Sequence, residues 1–204
     1  EQTAYLFVNS LYKEMAASLN AESGILNREL RTIEISRENP LSKEVAQICN
    51  KERITTVEFE ETNLTVAELK KLTSVCSGVS FIASQNRIEH IRMIKRSDEI
   101  EYIRQACAIT DACFTAVVAL LKPGVTESEI AWEMQSFFRK RNAYDAFSPI
   151  VAFGSHTSQP HYSPDNTKLE NNDIVLLDFG ARVNGYCADM TRMIFVGKPK
   201  PEWE

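Results

Sequence analysis

The segment DFGARVNGYCADMTR, residues 178–192, constrains the fold more than any other stretch of the chain. Asn184-Gly185 stands between two apolar runs, and this dipeptide readily takes the positive φ angles that a two-residue hairpin turn requires. Such a turn sets a register in which Val183 pairs with Tyr186 and, three steps outward, Asp189 lies opposite Gly180. Side chains alternate faces along a strand, so Asp178 shares the face of Asp189 and sits diagonally, roughly 7–8 Å away between Cα atoms. Two carboxylates thus converge from a strand pair that is otherwise apolar.

Two unpaired carboxylates near a core repel each other and cost several kcal/mol to desolvate. A shared proton, a nearby Arg or a hard cation taking oxygen ligands would resolve the conflict. Arg192 stands at odd spacing from Asp189 and is expected to face the other way, while Gly180 is expected to leave room between the carboxylates. The chemistry alone leaves two readings open: a metal site, or turn-flanking aspartates that reach solvent.

The rest of the chain divides into two segments. Residues 1–90 alternate strand signals (YLFV, TIEIS, TTVEFE, VSFIAS) with helical ones, which argues for an α/β domain with neighbouring parallel strands. Asn39 is expected to cap one helix with Pro40 at its first position, and Thr65 with Glu68 has capping-box spacing. From Ser97 the pattern becomes a long amphipathic helix, capped by Ser97 and stopped by Pro123-Gly124. Thr126 with Glu129 opens a second helix, and strand signals follow at 150–153, 173–183 and 186–197. The domain boundary is expected on HIRMIKRS, dividing the chain into residues 1–92 and 93–204.

Bulk properties exclude several function classes. A formal charge of -5 and only scattered Lys and Arg give no footprint for nucleic acid. No apolar run approaches the ~20 residues needed to span a bilayer, so no membrane partner is expected. The N-terminus EQTAYLFVNS lacks the basic start of a signal peptide. Five cysteines without a CxxC pair are expected to be reduced thiols of a cytoplasmic protein.

DFGARVNGYCADMTR resembles the metal-binding hairpin of the pita-bread metallopeptidases, with its Asp-Phe/Tyr-Gly, Gly-Tyr turn and Asp-x-Thr-Arg. FSPIVAFGSHTSQPHYSP (147–164) is similar to the Gly-then-Pro-His segment of the Xaa-Pro peptidase branch, the prolidases and aminopeptidases P. RMIKRSDEIEYIRQA (92–106) resembles the opening of that catalytic domain, and KPGVTESEI (122–130) its turn between the first two helices. These matches stand in family order, and residues 1–90 resemble part of the family's N-terminal domain. The fold implied is α/β (α+β): a partial creatinase/prolidase-type N-terminal domain, then the first half of a pita-bread domain.

The resemblance implies roles residue by residue. Asp178 matches the aspartate that chelates one metal, Asp189 the one that bridges both, and His161 the histidine that faces substrate and helps stabilise the tetrahedral intermediate. Thr191 is expected to orient a carboxylate, as groups behind metal ligands do. His156 matches no family position and is expected to be a loop residue, while Met193 replaces the commoner threonine. The family's two divalent ions, Mn first with Zn or Co as alternatives, activate a bridging water and polarise the scissile carbonyl. Implied partners are proline-containing di- or oligopeptides and, for the complete protein, a second subunit in a homodimer.

The family's site takes a histidine and two glutamates from later strands, and its N-terminal domain starts earlier. The chain is therefore expected to be a fragment, inactive by itself and holding a weak two-carboxylate site. Three functions remain: Xaa-Pro dipeptidase or aminopeptidase, metal-free creatinase-type hydrolase, or non-catalytic peptidase-like binding module. Retention of both aspartates speaks against the second.

Overall fold

The computed structural model describes residues 3–22 and 29–198, which form two compact units, Glu1–Met93 and Ile94–Glu204. In the first unit, strands alternate with helices in chain order: β1 (Ala4–Val8), α1 (Lys13–Glu22), β2 (Leu30–Glu34), α2 (Leu41–Lys51), β3 (Thr56–Glu60), α3 (Val66–Val75), β4 (Ser80–Ser84) and α4 (Arg87–Met93). Pairing is parallel, β1 with β2 and β3 with β4, as the helix-connected order of these strands requires. Thr65 and Glu68 form the expected reciprocal cap, at 3.2 Å from the Glu68 amide to the hydroxyl and 2.9 Å from the Thr65 amide to the carboxylate. Asn39 does not cap α2. Extended Pro40 takes that position, and the Asn39 amide side chain instead donates to the buried carboxylate of Glu44.

The second unit opens on α5 (Ser97–Val118), followed by α6 (Glu127–Arg139). The cap of α5 is Arg96 rather than Ser97: Ser97 is already helical, and the Glu99 carboxylate reaches back to the Arg96 amide at 2.7 Å. The helix also stops ahead of Pro123-Gly124, at Val118. Thr126 and Glu129 cap α6 as expected, with the Thr126 amide 2.8 Å from the Glu129 carboxylate. Then come β5 (Tyr144–Asp145), β6 (Ile150–Phe153), a short 3-10 turn (Gly154–Ser158), β7 (Ile174–Phe179), β8 (Ala181–Val183), β9 (Tyr186–Cys187) and β10 (Met190–Phe195).

The strands form two antiparallel three-stranded sheets, ordered β10-β7-β6 and β5-β8-β9. Strict alternation along β7 buries Val175, Leu177 and Phe179, and leaves Ile174, Leu176 and Asp178 half-buried on the other face. The buried face packs with Ile130, Met134 and Phe138 of α6 and Cys113 and Val117 of α5 in one apolar cluster. Phe138 stacks on Phe179 with ring centroids 6.4 Å apart. Each fully buried side chain of this size contributes roughly 1.5–3 kcal/mol relative to exposure, so this layer fixes β7, the strand that carries Asp178. The expected strands 173–183 and 186–197 are each interrupted, at Gly180 and at Ala188–Asp189. The five cysteines are free; Cys107 and Cys187 are exposed, and burial pushes the Cys113 thiol up to about 12.

Candidate functional site

The hairpin turn has positive φ at both central residues, 48° at Asn184 and 85° at Gly185, the geometry of a type I′ turn. Val183 pairs with Tyr186 and Arg182 with Cys187, the register expected from the turn. It persists through the interruption, because Phe179 pairs with Met190 and Asp178 with Thr191. The strands break between these ladders because the chains cross closely there. A Cβ on Gly180 would lie 1.8 Å from the Ala188 carbonyl oxygen. Gly180 therefore leaves no space between the carboxylates, contrary to expectation: the Ala188–Asp189 backbone fills that volume.

Asp178 sits half-buried between Ile150 of β6 and Thr191 of β10, its paired neighbours on either side. The Thr191 hydroxyl donates to Asp178 Oδ1 at 3.0 Å. Burial alternates through the break, with Ala188 and Met190 buried and Asp189 and Thr191 exposed. Because the register is the same on both sides of the break, side-chain alternation assigns Asp189 to the face of Thr191 and Asp178. Arg192 pairs with Leu177 on the opposite face and donates to its neighbour's carbonyl, at 2.9 Å from the Thr191 oxygen. Among the described residues neither aspartate forms an ion pair with a cationic side chain. Two carboxylates on one face, one of them half-buried with, among the described residues, a single hydroxyl donor and no countercharge, suit a hard divalent cation.

Three contacts anchor this hairpin to α5. The buried Thr110 hydroxyl accepts from the Ala181 amide at 2.9 Å and donates to the Ala106 carbonyl at 2.8 Å. Near the turn, the Tyr186 hydroxyl donates to Glu99 at 2.7 Å, and the Tyr186 ring stacks on Tyr102 with centroids 5.7 Å apart. Accepting from Tyr186 holds the Glu99 carboxyl below its ordinary range, and the same bond raises the tyrosine hydroxyl.

His161 is exposed in a turn and has φ 59°, a left-handed conformation uncommon outside glycine and the Asn, Asp and His class. Among the described residues no group hydrogen-bonds to its side chain. His156 departs from the expectation of a plain loop residue: its Nδ1 lies 3.0 Å from Oε1 of Glu127, a fully buried carboxylate at the first position of α6. The same carboxylate accepts from the Phe153 amide at 2.8 Å, the Tyr162 hydroxyl at 2.8 Å and the Asp165 amide at 3.2 Å. Burial and the bond to Glu127 raise the Tyr162 hydroxyl, while bonds from Thr167 lower the exposed Asp165 carboxyl to about 2.

Glu127, His156 and Asp165 offer ligand atoms all within 4.8 Å of one another, a spacing that a metal could use. Both oxygens of Glu127 are already taken by two donors each, so this cluster is built as a hydrogen-bond junction. Nothing in TESE distinguishes Glu127 from its acidic neighbours, because acids are ordinary in the first turn of a helix.

Residues 101–204 match the model of metallopeptidase family M24, and residues 1–94 that of the creatinase/prolidase N-terminal domain. An uncharacterized peptidase of Bacillus subtilis is 34% identical over 145 residues, 71% of this chain and 41% of that protein. One of Staphylococcus aureus is 37% identical over 169 residues, 82% of this chain and 46% of that protein. This chain therefore spans about half the length of the curated relatives it matches. Among solved structures, an Xaa-Pro dipeptidase from Bacillus anthracis superposes with TM-score 0.83 at 30% identity, covering 97% of this chain and 53% of that one. An X-Pro aminopeptidase from Thermotoga maritima gives TM-score 0.82 at 29% identity, covering 100% and 55%. The fold of both units is accordingly that of the creatinase-type and pita-bread domains, each represented in part. With a catalytic-domain match over half its length, the chain belongs to metallopeptidase family M24.

Proposed function

We propose that the protein to which this chain belongs hydrolyses Xaa-Pro peptide bonds, as a dipeptidase or an aminopeptidase. The observation that carries this reading is the pairing of Asp178 with Thr191 across β7 and β10, with Asp189 on the same face and no cationic side chain paired to either carboxylate among the described residues. Family membership supports a divalent-metal peptidase, and the names of the structural neighbours point to proline-containing substrates. Asp178 and Asp189 would hold the divalent metal, with Mn the preferred identity for carboxylate-rich ligation. Bound there, such ions supply an activated water and a stabilised oxyanion. His161 would present its imidazole to the substrate carbonyl, which in an Xaa-Pro bond belongs to a tertiary amide without an N–H. A cytoplasmic homodimer is part of the same proposal.

The test compares this chain with one extended to the full length of its relatives, both supplied with Mn and given Xaa-Pro and Xaa-Ala dipeptides. Cleavage of Xaa-Pro alone, by the extended protein alone, is the expected result. A folded extended protein that cleaves neither would favour a peptidase-like binding module instead.

A further inference from the structure

We propose that Glu127 is a positioning residue that fixes the His161 turn from beneath; the inference rests on the reading of His161 as substrate-facing. All four donors to the Glu127 carboxylate come from residues 153–165, a loop remote in sequence, and none comes from its own helix. They bracket His161: Phe153 and His156 precede it and bind Oε1, while Tyr162 and Asp165 follow it and bind Oε2. Contact of the His156 and Tyr162 rings, 4.5 Å between centroids, closes the bridge on the loop side.

A fully buried carboxyl group without partners would be strongly destabilising, and the four hydrogen bonds to Glu127 offset that cost. Those donors occupy the carboxylate's accepting capacity, which favours an anchoring role over a metal ligand. His161 needs such an anchor. Its left-handed backbone persists only where neighbours hold it, and among the described residues its own side chain bonds to nothing. The segment that follows is fixed to the same helix end, through the Ser128 amide to the Asp165 carbonyl at 2.9 Å and the Glu127 amide to the Thr167 carbonyl at 3.1 Å. Glu127 thus transmits the position of α6 to the turn on which His161 stands.

Two readouts test this. In the 204-residue chain, Glu127→Gln should speed amide exchange across residues 154–165 about tenfold while α5 is unchanged. In the protein extended to its relatives' length, with Mn, Glu127→Gln should lower kcat for an Xaa-Pro dipeptide about tenfold with KM within about twofold. In a His161→Ala background it should cost nothing further, because a residue acting through His161 has nothing left to position. Tyr162→Phe, which removes one of the four bonds, should show the same pattern at smaller size, and it serves if Glu127→Gln fails to fold. Unchanged exchange, or an equal kcat loss in the His161→Ala background, overturns the inference. An extended wild type that folds but cleaves nothing overturns the peptidase reading instead, and amide exchange then judges Glu127 alone.

Discussion

Thr191 and Asp178 face each other across β10 and β7 as directly paired residues, and the Thr191 hydroxyl donates to Asp178 Oδ1 at 3.0 Å. That bond engages one carboxylate oxygen, and under the proposed function the second oxygen would hold the metal. Thr191→Val keeps the β-branched shape and removes only the donor. In the extended protein it should weaken Mn binding about 10–100-fold in a calorimetric titration, and Thr191→Ser should restore most of the loss. Equal affinity in the valine variant would show that the hydroxyl does not orient the ligand.

Gly180 is required by a close approach rather than by a turn. Gly180→Ala puts a methyl group 1.8 Å from the Ala188 carbonyl oxygen, a backbone atom that cannot move without shifting Asp189. The variant should lose about 3 kcal/mol in urea denaturation, and the extended form should lose Mn affinity with it. Wild-type stability would mean that the two strands separate more easily than their shared register implies.

Thr110 tests the attachment of the hairpin to α5. Thr110→Val fills the same volume but leaves the buried Ala181 amide without an acceptor. Stability should fall by about 1–3 kcal/mol, read as a shift in the urea midpoint with an unchanged slope. A slope change would instead report a looser native state.

Asp165 and Tyr162 set the pH response of the loop. The Asp165 carboxyl is lowered to about 2 in the folded chain, chiefly by its bonds to Thr167. A depressed carboxylate stabilises the fold above its unfolded value of about 4, and the contribution is lost as pH falls toward 2. Asp165→Asn should therefore be less stable than wild type at pH 7, with the difference disappearing as pH falls through about 2 in denaturation curves. Tyr162 has the opposite sign: its raised hydroxyl supports the fold below the unfolded value of about 10 and is lost as pH rises beyond it. Tyr162→Phe should flatten that alkaline limb.

Much of the site's frame was legible from short stretches. Asn184-Gly185 states a turn type, the turn states a register, and the register brings Asp178, Asp189 and Thr191 to one face without reference to the rest of the molecule. The capping pairs Thr65 with Glu68 and Thr126 with Glu129 were legible for the same reason, because a cap needs only four consecutive residues. The caps of α2 and α5 lie one position from Asn39 and Ser97, because the flanking Pro40 and Arg96 take the extended cap conformation.

Sequence alone thus determined the features that depend on neighbours along the chain: positive φ at the turn, alternation of faces, and the helix starts at Thr65 and Thr126. Only the tertiary structure decided what depends on separate segments meeting. It showed that Gly180 is a crossing point rather than a void, because the volume beside it belongs to Ala188, eight residues away by chain but adjacent in the ladder. It also gave Glu127 its role, because the four donors to that carboxylate lie 26 to 38 residues downstream. A buried charge is recognised by what surrounds it, and no local pattern of residues encodes the packing that removes water from it.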